Sequence, residues 1–223
     1  MIFDAHLHNK NKENGGFLIG TEGTPFFEGT LTNKEVLKFH DPSNFYFAFY
    51  YVSNEESTSV IAHDYLKYHP RREKYYSGQI IKSIKLNKPK AVMIDTLNEP
   101  FFSAYDYWSI ARAFPDIFFI FAHSGGYLIN DFIKICHFQT NVWLDFSLTH
   151  TTLAKLGDKK GLSYVNDAIS YSLNGSFCER ILLGSDWPFF DQKAVFNFYQ
   201  KHIKLLNNNF LKLLEKFNEP RLK

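Results

Sequence analysis

The chain has 223 residues, 45% of them apolar and 22% charged, with a formal net charge of +2. That apolar content excludes an intrinsically disordered chain. Near-balanced charge with no long Lys/Arg run gives no footing for nucleic acid or for a membrane surface as partner.

The 24 Phe and 13 Tyr predict a bulky core and an aromatic-lined pocket. Cys136 and Cys178, the only cysteines, read as free thiols. The first apolar run begins at Ile2 with no basic segment before it, and no run approaches the length of a membrane span. The expectation is a soluble, cytoplasmic protein made of one domain over residues 1–223.

In chain order, eight short apolar runs predict strands: Ile2–His8, Phe17–Ile19, Phe45–Val52, Tyr65–His69, Ala91–Thr96, Phe118–His123, Val142–Phe146 and Ile181–Ser185. Helical patterns fall between most of them, at Asn33–Phe39, Glu73–Leu86, Asp106–Phe114 (stopped by Pro115), Tyr127–His137 and Ser163–Leu173. A long helix is expected over Lys193–Phe217, with an apolar face that could dock on a second subunit. Alternating strand and helix predicts a parallel α/β sheet with right-handed crossovers, and eight strands can close into a TIM-like (β/α)8 barrel. The chain is short for that fold, and Asn9–Gly16 has no room for a full helix. The expected form is a distorted, trimmed barrel.

The richest motif is Asp4-Ala5-His6-Leu7-His8. Side chains two residues apart on a strand face the same way, so His6 and His8 form half of a metal site. Further apolar runs end in Phe121-Ala122-His123-Ser124-Gly125-Gly126 and in Gly184-Ser185-Asp186-Trp187-Pro188. In a parallel barrel every strand C-terminus opens onto one mouth, where His6, His8, His123 and Asp186 would meet. A divalent ion held by such nitrogen and oxygen donors lowers the pKa of its water to roughly 7. The bland alternatives are strand-end histidines satisfied by backbone, and Asp186 as a turn or cap residue.

These motifs, with Leu66-Lys67-Tyr68-His69-Pro70-Arg71, Glu99-Pro100-Phe101, Ala113-Phe114-Pro115-Asp116 and Arg180-Ile181-Leu182-Leu183, resemble the amidohydrolase superfamily, in particular its amidohydrolase-2 branch of hydrolases and decarboxylases. The resemblance implies one divalent metal ion on His6 and His8, with Asp186 as ligand or as proton acceptor. His123 would be a ligand, or the base and electrostatic partner of the water. Zinc is the first expectation, and manganese, iron or nickel suit the same donors.

Where the branch usually has a strand-five metal-binding His, this chain has Asp95 in Met93-Ile94-Asp95-Thr96. Asp95 either ligates the ion with one more negative charge, or the metal is weakened or lost. Lys67, His69 and Arg71 would bind an anionic small-molecule substrate, or else form a basic strand end paired with Glu73 or Glu99. The function expected is metal-dependent hydrolysis of a C–N or C–O bond in an amide, lactone or ester. The alternatives are non-oxidative decarboxylation and a degenerate, non-catalytic ligand-binding barrel. His40, His63, His137, His150 and His202 receive no role.

Overall fold

The computed structural model describes residues 2–10, 15–21, 29–97, 101–147, 159–175 and 177–219. Eight strands follow one another: β1 Asp4–Leu7, β2 Gly16–Ile19, β3 Tyr46–Tyr51, β4 Tyr65–Tyr68, β5 Ala91–Asp95, β6 Phe118–Ala122, β7 Val142–Asp145 and β8 Ile181–Leu182. Each pairs in parallel with the next, in the order β1 to β8. The two ends of this sheet then meet. The Ala5 N–H donates to the Leu183 carbonyl at 2.7 Å, that of Asp186 to the His6 carbonyl at 2.9 Å, and that of His8 to the Trp187 carbonyl at 2.8 Å. Those bonds close the barrel and place the Asp186 backbone beside His6.

The helices are α1 Asn33–Lys38, α2 Pro70–Glu73, α3 Ser77–Asn87, α4 Ala104–Ala113, α5 Ile129–Phe138, α6 Lys159–Asn174, α7 Gln192–Phe198 and α8 Ile203–Asn218. None among the described residues is long and apolar enough to cross a membrane. Only residues 8–15 join β1 to β2, too few for a helical crossover, as the sequence suggested.

Most strands end a residue or more earlier than their apolar runs imply. His8, His69, Thr96 and His123 have left the ladder and stand at the mouth. The helix read over Glu73–Leu86 starts only at Ser77, and a separate short helix, α2, ends at Glu73. Lys74 turns to φ 54°, which ends α2, and the Gln79 side chain then caps the Tyr76 N–H at 2.9 Å to start α3. The C-terminal helix also divides, at a tight turn over Gln200–His202. The division lets Val195, Phe196 and Tyr199 join the outer core while α8 crosses beneath the barrel.

Strand alternation sorts the core into a filling inside the barrel and packing outside it, where Leu7, Leu18 and Ala48 form a small separate cluster with Val36 of α1. Outward residues such as Leu66, Val92, Phe119 and Leu144 pack on the surrounding helices. Inward residues such as Phe17, Phe49, Met93, Ile120 and Trp143 fill the barrel, and α8 closes its floor with Phe210, Leu213, Leu214 and Phe217. The Phe210 ring stacks on Phe3 at 4.9 Å and tilts against Phe17 at 4.6 Å. The buried residues of α8 pack on this chain's own barrel.

A Phe210→Ala variant should lose about 3–5 kcal/mol of unfolding free energy. Phe198→Ala, at a site 44% exposed, should change stability by less than about 1 kcal/mol. Urea unfolding of both measures the contrast.

Candidate active site

His6 and His8 lie at the end of β1, both buried, with their rings 5.1 Å apart. Asp186 follows β8 in a left-handed conformation, φ 62°, which turns its carboxylate back toward β1. Its Oδ1 lies 3.3 Å from His6 Nε2 and 3.1 Å from His8 Nε2. Donor atoms bound at about 2.0–2.2 Å around a tetrahedral ion are separated by roughly 3.3 Å, so the spacing suits one shared cation.

The hydrogen bonds behind these groups make the same point. His6 Nδ1 is 2.7 Å from Asp145 Oδ2, an oxygen that already accepts the Ser147 hydroxyl proton, so the imidazole donates there. Burial first, then Lys67, keeps the His6 pKa well below its usual value against the pull of Asp186, and the ring is neutral. Its Nε2 therefore presents a lone pair to Asp186 Oδ1, acceptor facing acceptor. A cation between them resolves that conflict. Burial alone would raise the Asp186 pKa, but the His8 hydrogen bond and the charge of His123 hold it well below the usual carboxylate range, so the third donor is anionic. The residues present fit a divalent ion on His6, His8 and Asp186, with a position left for water or substrate.

A second group stands beside the first. Asp95 Oδ2 is 3.1 Å from His123 Nε2 and 3.4 Å from His69 Nε2. His123 stacks on His6 with ring centroids 4.8 Å apart. Its Nδ1 lies 2.9 Å from Ser147 Oγ, whose own proton goes to Asp145 Oδ2 at 2.6 Å. His123 therefore donates to Ser147 through Nδ1 and to Asp95 through Nε2, as an imidazolium does. Burial would lower the His123 pKa, but the hydrogen bond and charge of Asp95 raise it. Burial would likewise raise Asp95, and His69 and His123 hold it well below the usual range. Asp95 and His123 thus satisfy each other as an ion pair, whereas His6, His8 and Asp186 call for a cation.

Both groups line one cavity of about 250 Å³ at the barrel mouth, with Tyr51, Lys67, Arg71, Arg72, Phe189 and others. Lys67 is 1% exposed, and its Nζ has no hydrogen-bond partner among the described residues. Burial lowers its pKa against the opposing pull of Asp95, Asp145 and Asp186. Lys67 makes no solvated pairing with Glu73, since it is buried and its Nζ has no partner among the described residues, while Glu73 accepts from Tyr51 and Asn54; Glu99 and His150 fall outside the described residues. His69 lines the cavity and Arg71 stands exposed at its rim. His40 and His63 bond the backbone of Ala48, away from this mouth.

Several site residues escaped the sequence reading. Asp145 and Ser147 orient both imidazoles from β7, and their signal was Asp-x-Ser at the end of an apolar run. Arg72 and Tyr51 form a wall of the cavity. Gly184 is the space-maker, since a Cβ there would lie 2.2 Å from Asp145 Oδ1 and 2.8 Å from His6 Cβ.

An eight-stranded parallel barrel with a His and carboxylate cluster at its C-terminal mouth is the TIM-barrel arrangement of active-site groups. The family model described as Amidohydrolase matches residues 27–203, and the chain belongs to the amidohydrolase-2 family. The match begins after His6 and His8. Three solved structures share the fold. An uncharacterized TIM-barrel protein from Bordetella bronchiseptica is 12% identical with a TM-score of 0.67, over 92% of this chain and 79% of that one. A probable 2-pyrone-4,6-dicarboxylic acid hydrolase from Acinetobacter baumannii, solved with citric acid bound, is 13% identical with a TM-score of 0.62, over 96% and 99%. An amidohydrolase 2 from Bifidobacterium longum subsp. infantis is 14% identical with a TM-score of 0.60, over 97% and 98%. No curated protein matches significantly.

Gly184→Ala should cost about 1–3 kcal/mol by overpacking and erase the NMR signal of the hydrogen-bonded His6 Nδ1 proton. Gly78→Ala, where an added Cβ meets nothing within 4 Å, should leave that signal in place and be neutral or stabilising by up to about 1 kcal/mol.

Proposed function

We propose that this protein is a metal-dependent hydrolase that cleaves a C–N or C–O bond of a small amide, lactone or ester. The observation that carries the reading is the acceptor-to-acceptor approach of His6 Nε2 and Asp186 Oδ1 at 3.3 Å, behind which His6 Nδ1 is committed to Asp145. A divalent ion, zinc first among those the donors suit, supplies a Lewis acid and an activated water when bound there.

The chain's own residues perform the rest. Asp145 fixes the His6 tautomer and aims its ring, as carboxylates behind metal-binding histidines do. Asp186 takes the proton of the attacking water and returns it to the leaving nitrogen or oxygen. His123, held as an imidazolium by Asp95, stabilises negative charge that develops on the substrate oxygen. In this reading Asp95 compensates for the absent strand-five histidine by charging His123. Phe189, beside His8 at 5.3 Å, covers the mouth with an apolar edge.

Purified protein should carry about one zinc ion per chain by elemental analysis, and a panel of lactones and amides should include a substrate turned over with that metal present. His8→Ala should lose metal and activity together, and Asp145→Asn should weaken metal affinity about 10–100-fold. A protein that refuses Zn2+, Mn2+, Fe2+ and Ni2+ overturns the reading in favour of a ligand-binding barrel. CO2 release from aromatic acids without hydrolysis of the panel overturns it in favour of decarboxylation.

A further inference from the structure

Two half-buried histidines away from the mouth, His40 and His63, hold one seam of the barrel together. β3 pairs with β4 at Tyr50 and Tyr51. Earlier in β3 the edge that faces β4 is completed by other groups. The Tyr46 N–H donates to the Asp41 carbonyl at 3.0 Å, and the Asp41 N–H donates back at 2.9 Å. The Ala48 N–H donates to His40 Nδ1 at 3.1 Å, and the Ala48 carbonyl accepts from His63 Nε2 at 2.6 Å. Two imidazoles thus take the place of a neighbouring strand at Ala48, with their rings 5.6 Å apart.

The two bonds differ in what a proton does to them. To accept the Ala48 N–H, His40 must be neutral, with its one proton on Nε2. A second proton on Nδ1 would face the N–H donor to donor and leave a part-buried backbone donor unpaired. His63 donates through Nε2 whether charged or not, so the latch turns on His40. Burial first, then the charge of His63, lowers the His40 pKa, against the pull of Asp41 and Asp64. Both carboxylates are already engaged, Asp41 by Ser43 and Asn44 and Asp64 by Lys90 at 3.0 Å. A base whose folded pKa is lowered stabilises the fold fully above its unfolded value of about 6.5, and that contribution declines as the pH falls below it.

Protons can reach the pair from an open groove of about 380 Å³, which His40 and His63 line together with Asp64, Lys90 and Asn218. The rings behind the pair lead to the barrel floor. His40 meets Phe47 edge-on at 6.0 Å and His63 meets Tyr65 at 5.8 Å, and Phe47 and Tyr65 in turn hold Phe217 of α8 at 6.0 and 5.2 Å. We propose that His40 and His63 form an acid-opened latch on the β3–β4 seam, shut while His40 is neutral and releasing Ala48 and the Phe217 end of α8 when His40 takes a proton. The inference is independent of the hydrolase reading, because none of its groups touches the mouth.

Amide exchange followed by NMR, corrected for the intrinsic effect of pH, measures the latch on the whole chain. The protection factor of the Ala48 N–H should fall about tenfold or more between about pH 7.5 and about pH 5, and that of Phe217 should fall with it. The Phe119 N–H, bonded to the Asn141 carbonyl across the β6–β7 pair, should keep its protection, which separates the latch from global unfolding. His40→Asn places an acceptor that does not titrate near the Nδ1 position, so Ala48 should stay protected at the lower pH. His40→Phe removes the acceptor and should leave Ala48 exposed at both values. The ring nitrogens of His40, followed by NMR in the unsubstituted protein, should take up their proton over the same range in which Ala48 loses protection, and this keeps the test open if a variant fails to fold. Equal protection of Ala48 at both pH values, or a loss that His40→Asn does not abolish, overturns the latch. A His40 ring that becomes charged while the Ala48 N–H stays protected overturns it as well.

Discussion

The bond between His6 Nδ1 and Asp145 Oδ2, 2.7 Å long and wholly buried, is the interaction on which the mouth of this barrel depends. It joins β1 to β7 across the short strand β8. It is possible only because Gly184 stands between them without a side chain. It commits one imidazole nitrogen and thereby decides what the other can do. Without it, His6 could donate through Nε2 to Asp186, and that group would be a self-satisfied hydrogen-bonded cluster with no demand for a cation.

The same carboxylate organises the neighbouring group. Ser147 gives its hydroxyl proton to Asp145, so the serine oxygen can only accept from His123. His123 then meets Asp95 as a donor on its other nitrogen. One buried Asp on β7 thus holds two imidazoles, His6 directly and His123 through Ser147. Burial raises the Asp145 pKa, and His123 and the Ser147 hydrogen bonds oppose that rise. Asp95 meets His123 Nε2 at 3.1 Å and His69 Nε2 at 3.4 Å, and so finds its partners among imidazoles.

Much of the fold was legible because its signals are local. Apolar runs bounded by polar residues mark all the strands, and the two-residue period puts His6 and His8 on one face. Asp186 and His123 were legible as polar residues at the ends of such runs. The rest depends on contacts between residues far apart in sequence. Asp145 matters because β8 is short and Gly184 is bare. Arg72 lines the cavity because its guanidinium packs over the Tyr51 ring, a contact between strands and helix that the sequence pattern does not show. The break in the C-terminal helix was equally hidden, since no Gly or Pro marks it. The division follows from packing: its first half belongs to the outer core and its second half to the barrel floor.

That floor has a bearing on the chemistry above it. Phe210, Leu213, Leu214 and Phe217 seal the bottom of the barrel, and inward Phe, Met and Trp residues fill its middle. Water cannot reach Lys67 from below, and the ammonium must be compensated from the mouth or by the carboxylates ringing it. A dry interior under a charged rim strengthens every electrostatic interaction there, both the pairs the chain makes and those it leaves open. The floor of the barrel is apolar and its rim carries the cluster of histidines and carboxylates. Trimming the outer layer between β1 and β2 leaves that division intact, because the residues that enforce it point into the barrel and away from the missing helix.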